Sequence, residues 1–164
     1  MINFMKTKTG PELIRTLWNK LGSLPGGPAT VSTILGRAIP YSGSISPRIV
    51  RLGKGIAEIT MQDRHRVRNH LNCVHAIALA NLAEYATGLA INYSIPENAR
   101  AILTGIQIQY LKKARGKLTA VSEFTLTFSA VVQPTHVEVP GVITDEKGVV
   151  VVRATANWLV SPNK

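Results

Sequence analysis

The chain carries one cysteine in 164 residues, has 5% aromatic residues, and sets only 9 acidic residues against 19 lysines and arginines. A lone Cys73 excludes an internal disulfide framework and suits a reducing compartment. So few aromatics cannot interleave the basic residues as stacking platforms, which weighs against a single-stranded nucleic-acid binder. The opening residues, MINFMKTKTGPELIRTLWNK, lack the continuous apolar run and small-residue cleavage site of a secretory signal, so a cytoplasmic location is expected. The longest apolar stretch, residues 74–91, is interrupted near its middle by Asn81 and Glu84 and is expected to be a buried helix without membrane insertion. Internal repeats and low-complexity tracts are also missing. His65, His70 and His75 beside one cysteine do not form zinc-ligand spacing, so neither a metal nor another cofactor is expected.

Apolar residues make up 45% of the chain and charged residues 17%, which fits a single globular domain with a genuine core. The formal charge of +10 favours an anionic partner. Three clusters carry much of it: Arg48, Arg51 and Lys54; Arg64, Arg66 and Arg68; and Lys112, Lys113, Arg115 and Lys117. Each cluster taken alone is equally an ordinary solvated surface.

Leu13, Ile14, Leu17, Trp18 and Leu21 recur at helical spacing, with Pro11 in a first turn and Gly22 at a stop. A second short helix is expected over residues 29–37, before Pro40. Residues 1–40 form an N-terminal helical extension in this reading, and residues 41–164 the main domain. Gly53-Lys54-Gly55 turns between two extended runs, the second alternating Ala57, Ile59 and Met61 with Glu58, Thr60 and Gln62. Beyond the central helix the period is two. Ile102, Thr104, Ile106, Ile108 and Tyr110 are expected on one strand face, and a long strand should run over residues 118–132. Residues 137–144 and 149–160 form a hairpin across Asp145-Glu146-Lys147-Gly148. A helix apolar on all sides must be wrapped, and an antiparallel sheet is the element available to wrap it. The fold class is therefore α+β.

One carboxylate, Glu84, sits inside that helix. An ionised buried carboxylate costs several kcal/mol unless paired, so Glu84 is either a satisfied structural acid or a working one. Asn81, Glu84, Gly88 and Asn92 share a narrow polar stripe on the helical wheel. The helix should begin near residues 73–75, leaving free amides and the positive dipole end pointing into a cleft.

The segment Asn69-His70-Leu71-Asn72-Cys73-Val74-His75-Ala76-Ile77, followed by Leu79, Leu82 and Glu84, resembles the signature of PaaI-like acyl-CoA thioesterases of the hotdog superfamily. In that family an Asn-rich loop leads to His-Gly-Gly at the helix start, and an acid follows nine residues after the His, as Glu84 follows His75. Gln107-Ile108-Gln109-Tyr110-Leu111-Lys112-Lys113-Ala114, with Gly116 beyond, is similar to the family's "YLRPA…G" strand and turn. The resemblance covers roughly residues 45–160 and departs from the pattern at Ala76 and Ile77, which replace two glycines.

The resemblance implies a hotdog fold, a homodimer or a tetramer of paired dimers, and an acyl-CoA or acyl-carrier-protein substrate. It implies Glu84 as general base or nucleophile, the amide of Ala76, with that of Ile77 as a second candidate, as oxyanion donor, and His75 as the motif histidine of the catalytic set. It also implies Asn69 as the residue orienting water or carbonyl, with a turn-forming Asn as its plain alternative. Substrate contacts would come from His70, Asn81, Gly88 and Arg68, with Lys112, Lys113 and Arg115 against coenzyme A phosphates and Arg66 as a further candidate. Cys73, near the helix start, is either a thiolate nucleophile or a small buried residue. Two other readings stay open: a hotdog dehydratase pairing His70 with Glu84 fourteen residues on, and a non-catalytic acyl-CoA binding protein in which Ile77 blocks the chemistry.

Overall fold

The computed structural model describes residues 10–125 and 131–163. Its elements are α1 (Gly10–Leu21), α2 (Gly27–Ala38), a single turn α3 (Pro40–Gly43), β1 (Arg48–Gly53), β2 (Ile56–Gln62), a 3₁₀ turn (His65–Val67), α4 (Ala76–Ser94), β3 (Ala99–Tyr110), β4 (Lys117–Glu123), β5 (Thr135–Thr144) and β6 (Val150–Pro162). The six strands form one antiparallel sheet in the order β1-β2-β4-β5-β6-β3. Helix α4 touches all six strands, which a single helix can do only if the sheet curls around it. Its buried side chains, among them Leu79, Leu82, Tyr85, Ala86, Leu89, Ala90 and Ile91, lie around its whole circumference. This is the hotdog fold, and the apolar helix that required wrapping is the one that is wrapped.

Helix α1 packs on α4, and α2 packs on α1 and on strand β1. Leu13, Ile14, Val31 and Leu35 belong to the same core cluster as Leu79, Leu82 and the β1 residues Ile49 and Leu52. Arg15 donates from Nη1 to the carbonyls of Ile95 at 2.7 Å and Asn92 at 3.3 Å, closing the carboxyl end of α4. Ser32 accepts from the Ile49 amide at 2.9 Å and donates to the Pro28 carbonyl at 2.7 Å, which fixes α2 on the sheet edge.

Two strand expectations fail for local reasons. In β3 the register shifts between Leu103 and Gly105, with Thr104 the extra residue and its hydroxyl bonded to the Asn157 carbonyl at 3.0 Å. Before this bulge Ala99, Ala101 and Leu103 face inward; after it Ile106 and Ile108 do, so Ile102 and Thr104 are exposed rather than in line with them. The strand expected over residues 118–132 ends at Glu123. Its β2 neighbour runs out at the Ile56–Glu123 pair, and the Phe124 amide turns to the Gly55 carbonyl at 2.9 Å instead. Residues 126–130 of that expectation lie outside the described residues. The last hairpin forms as expected, with Asp145 Oδ1 accepting from the Lys147 and Val149 amides, both at 2.9 Å.

Among the described residues, no helix is long and apolar enough to cross a membrane.

Candidate active site

The start of α4 is built by a tight loop. Asn69 Oδ1 accepts from the Leu71 amide at 2.9 Å and from the Cys73 amide and thiol, both at 3.4 Å, while the Asn69 amide reaches the Cys73 carbonyl at 2.9 Å. Asn72 at the loop tip has a positive φ of 58°, a conformation its short polar side chain tolerates. Arg115 clamps the tip by donating to the Asn72 carbonyl at 3.1 Å and the Leu71 carbonyl at 3.5 Å. Val74 and His75 then donate to the carbonyls of Ala114 and Val67 at 2.9 and 2.7 Å. These bonds aim the chain into the helix.

His75 is the N-cap. Its Nδ1 accepts from the Ile77 amide at 3.1 Å, so the ring proton is assigned to Nε2. The carbonyl of that same Ala76–Ile77 peptide accepts from the Tyr110 hydroxyl at 3.1 Å. The peptide that resemblance makes an oxyanion donor is thus held at both ends by side chains. The Ala76 amide, at the first helical position, has no intrahelical partner by geometry and remains the donor at the helix mouth. The first turn contains no acidic residue to neutralise the positive dipole end.

Two grooves flank this mouth. One, with a cavity volume of about 500 Å³, lies between α3 and α4; Tyr41, Ile45, Val67, Ile77, Ala78 and Asn81 line it, with Arg66, Arg68 and His75 at its rim. The other, of about 340 Å³, runs over Ala76, Leu79, Tyr110 and Leu111 to the exposed Lys112 and Lys113. Ala76 and Ile77 therefore face different grooves. The Ile77 side chain, 55% exposed, lines the groove on the α3 side and not the one that Ala76 lines.

Glu84 belongs to neither groove. It lies eight residues beyond Ala76, about 12 Å along the helix axis at the usual rise per residue. Its Oε1 lies 3.5 Å from the point where a Gly88 Cβ would stand, and Trp158 ring carbons lie 3.2 and 3.3 Å from the same point. A Cβ at Gly88 would press on the Trp158 ring and stand in ordinary contact with Glu84. Glu84 is half-buried, and burial raises its carboxyl above the ordinary carboxylate range. Burial, then the Glu84 charge, raises the neighbouring Tyr85 phenol too.

The other members of the polar stripe are engaged elsewhere. Asn81 donates from Nδ2 to the Tyr41 carbonyl at 3.1 Å, and Asn92 folds back on the Gly88 carbonyl at 2.8 Å. Arg68 is held by Asp63 through two bonds, Nε to Oδ1 at 2.7 Å and Nη2 to Oδ2 at 3.2 Å. Arg68 and Arg115 are thus fastened to the protein, while Lys112, Lys113 and Arg66 are exposed at groove rims. His70 is exposed and lines neither groove. Cys73 is buried and free of any disulfide. The described residues contain no cluster of acids, histidines and cysteines able to hold a metal.

Sequence reasoning missed three residues. Asp63 anchors Arg68 and also accepts from the Gly116 amide at 3.3 Å, tying the loop to the turn after β3. Tyr110 entered only as a motif letter. Tyr41, outside the motifs, walls the larger groove. Only Tyr110 carried a signal beforehand, as a polar aromatic ending an amphipathic strand.

A curled sheet around one helix, with a loop-built helix mouth between two grooves, defines a hotdog protein. The family profile described as "Domain of unknown function (DUF4442)" matches residues 27–160, and the chain belongs to that family. The match begins inside the residues set apart as an N-terminal extension. Among solved structures, "genomics APC5556" is 34% identical, with a TM-score of 0.80, covering 92% of this chain and 99% of that one. A Pseudomonas aeruginosa protein of unknown function, named a probable thioesterase, shares 18% identity at a TM-score of 0.74 over 83% of this chain and 97% of its own. A thioesterase-family protein from Silicibacter pomeroyi shares 18% identity at a TM-score of 0.67 over 82% and 98%. No curated protein matches the sequence.

Proposed function

We propose that the protein hydrolyses an acyl thioester of coenzyme A or of an acyl-carrier protein, acting as a homodimer. The observation that carries this reading is the open helix mouth. An uncapped Ala76 amide, with no acid in its turn, stands between a groove rimmed by Lys112 and Lys113 and one rimmed by Arg66 and Arg68. Similarity in fold to proteins named thioesterases supports the same class.

In the proposed reaction the thioester carbonyl lies over the Ala76 amide, which stabilises the oxyanion as it forms. Glu84 takes the proton of an attacking water, and the tetrahedral intermediate collapses to carboxylic acid and thiolate, which receives that proton. Lys112 and Lys113 attract the nucleotide phosphates.

The 12 Å or so between Glu84 and the amide of its own chain argues for a shared site, with base and amide from different copies. Strand β3 suits the pairing. It lies at the end of the sheet order, runs for 12 residues and carries exposed Ile102 and Tyr110.

The test is free-thiol release from short, long and aromatic acyl-coenzyme A, comparing wild type with Glu84→Gln. Turnover that survives undiminished in the variant would refute the assignment. A binding protein without hydrolysis is the second reading, favoured by the Ile77 amide being spent on His75. Binding without turnover, in folded protein, would select it.

A further inference from the structure

Asn81 holds an unfinished hydrogen-bond pattern inside the larger groove. The residue is 8% exposed and lines the cavity against Tyr41 and Ile77. Its Nδ2 is fixed toward the Tyr41 carbonyl, which can only accept, and this settles the orientation of the amide. Its Oδ1 is buried with no partner. A buried acceptor left in this state is unfavourable, and none of the groove's own donors meets it: the Ser44 hydroxyl is spent on the Tyr41 carbonyl at 2.6 Å, while Arg66, Arg68 and His75 stand at the rim.

We infer that this groove receives the acyl group and selects one bearing a hydrogen-bond donor, a hydroxyl or an amide N–H, which pairs with Asn81 Oδ1. The inference rests on the thioesterase reading and adds a substrate class to it. The acyl group is assigned to this side because, of its two rim arginines, Arg68 is engaged by Asp63, whereas the other groove leads to the exposed pair Lys112 and Lys113, which suits the phosphate-bearing arm. With the carbonyl over Ala76, a chain passing Ile77 and Ala78 reaches Asn81 one helical turn further on. Tyr41, 70% exposed and held to Asn81 only through its backbone carbonyl, closes the outer wall. A site built around an unpaired polar atom rejects the analogue lacking the matching group more strongly than an apolar pocket rejects a changed chain length.

The test uses hexanoyl-coenzyme A with its 3-hydroxy and 6-hydroxy derivatives. Affinities are measured by calorimetry on Glu84→Gln, where hydrolysis does not interfere, and kcat/KM on wild type. At least one hydroxylated form should bind about tenfold or more tightly than hexanoyl-coenzyme A, and Asn81→Leu should erase that ratio. Equal affinities for all three would overturn the inference and leave Oδ1 to an ordered water. A loss in Asn81→Leu that is equal for all three and for free coenzyme A would overturn it too, because Asn81 would then serve the pantetheine amides. Selective binding without hydrolysis by wild type would sink the thioesterase reading and leave the groove assignment standing. The wild-type ratio does not depend on whether Asn81→Leu folds.

Discussion

The two ends of α4 are finished in opposite ways. At the carboxyl end a cation from another helix, Arg15, is drawn onto the Asn92 and Ile95 carbonyls, so the negative dipole end is neutralised inside the protein. At the amino end no acid is supplied; the cap is a neutral imidazole, which takes the Ile77 amide and leaves that of Ala76. One end is spent on stability and the other is left unsatisfied beside two grooves. In the proposed reaction this difference points to the amino end more sharply than any single residue does. An end capped by its own protein has nothing to offer a ligand, whereas an uncapped end pointing into a groove does.

The largest effect should come from the group that serves the open end. Glu84→Gln should lower kcat/KM by about 10²–10⁴-fold, the usual contribution of a general base. Its stability should change the other way. Burial raises the Glu84 carboxyl in the folded state, so the folded protein holds this proton more tightly than the unfolded chain. Stability linked to that proton is fully present below the ordinary carboxylate value and is lost as pH rises through the raised one. Wild type should therefore lose stability across that window relative to Glu84→Gln in denaturant titrations at several pH values. The acid limb of the kcat/KM profile should lie above the ordinary carboxylate range. A profile falling at an ordinary carboxylate pKa would remove Glu84 from the base role.

Ala76→Pro deletes one amide proton and little else. Proline is favoured at the first helical position, and His75 already has the extended φ and ψ of −65° and 140° that a following proline requires. Activity should fall about 10²–10³-fold, as for loss of one oxyanion donor, with the melting temperature nearly unchanged. Mixing this variant with Glu84→Gln should restore part of the activity if base and amide come from different copies. Failure to recover activity after demonstrated subunit exchange would return both groups to one chain. At the opposite end, Arg15→Ala should remove about 2–3 kcal/mol of stability by equilibrium unfolding and leave kcat per folded molecule intact. Should that substitution instead act on turnover, the contrast between the two ends would be lost.

The ends were not equally legible. The apolar run from Val74 to Ile91, the half-buried Glu84 inside it and the nine-residue step from His75 are local patterns, legible without knowledge of distant residues. Arg15 gave no sign of its role, because the carbonyls it reaches are 77 and 80 residues away in the chain. Asp63 was hidden for the same reason: its partner Gly116 is 53 residues off. The bulge at Thr104 escaped because alternating letters continue through it while the side chains change faces. Arg68 and Arg115 show the same limit, since composition records a charge but not the Asp63 carboxylate or the Asn72 carbonyl that the side chain bonds.

The smallest predicted effect separates capping from catalysis at His75. In this structure the imidazole is exposed and bonds the Ile77 amide, which makes it a cap whose loss should cost about 1 kcal/mol. His75→Ala would also release a second amide at the helix mouth, next to the one on Ala76. A histidine that acts only by capping should therefore give a less stable enzyme whose kcat is held or raised. His75→Asn, which supplies another capping side chain, should recover the stability. A histidine that handles protons in the reaction would behave differently, losing kcat in both variants whatever the stability. Measuring unfolding and turnover together on the pair distinguishes the two. If kcat falls in both, the peptide clamped between His75 and Tyr110 is part of the chemistry, and the amino end is less open than its geometry suggests.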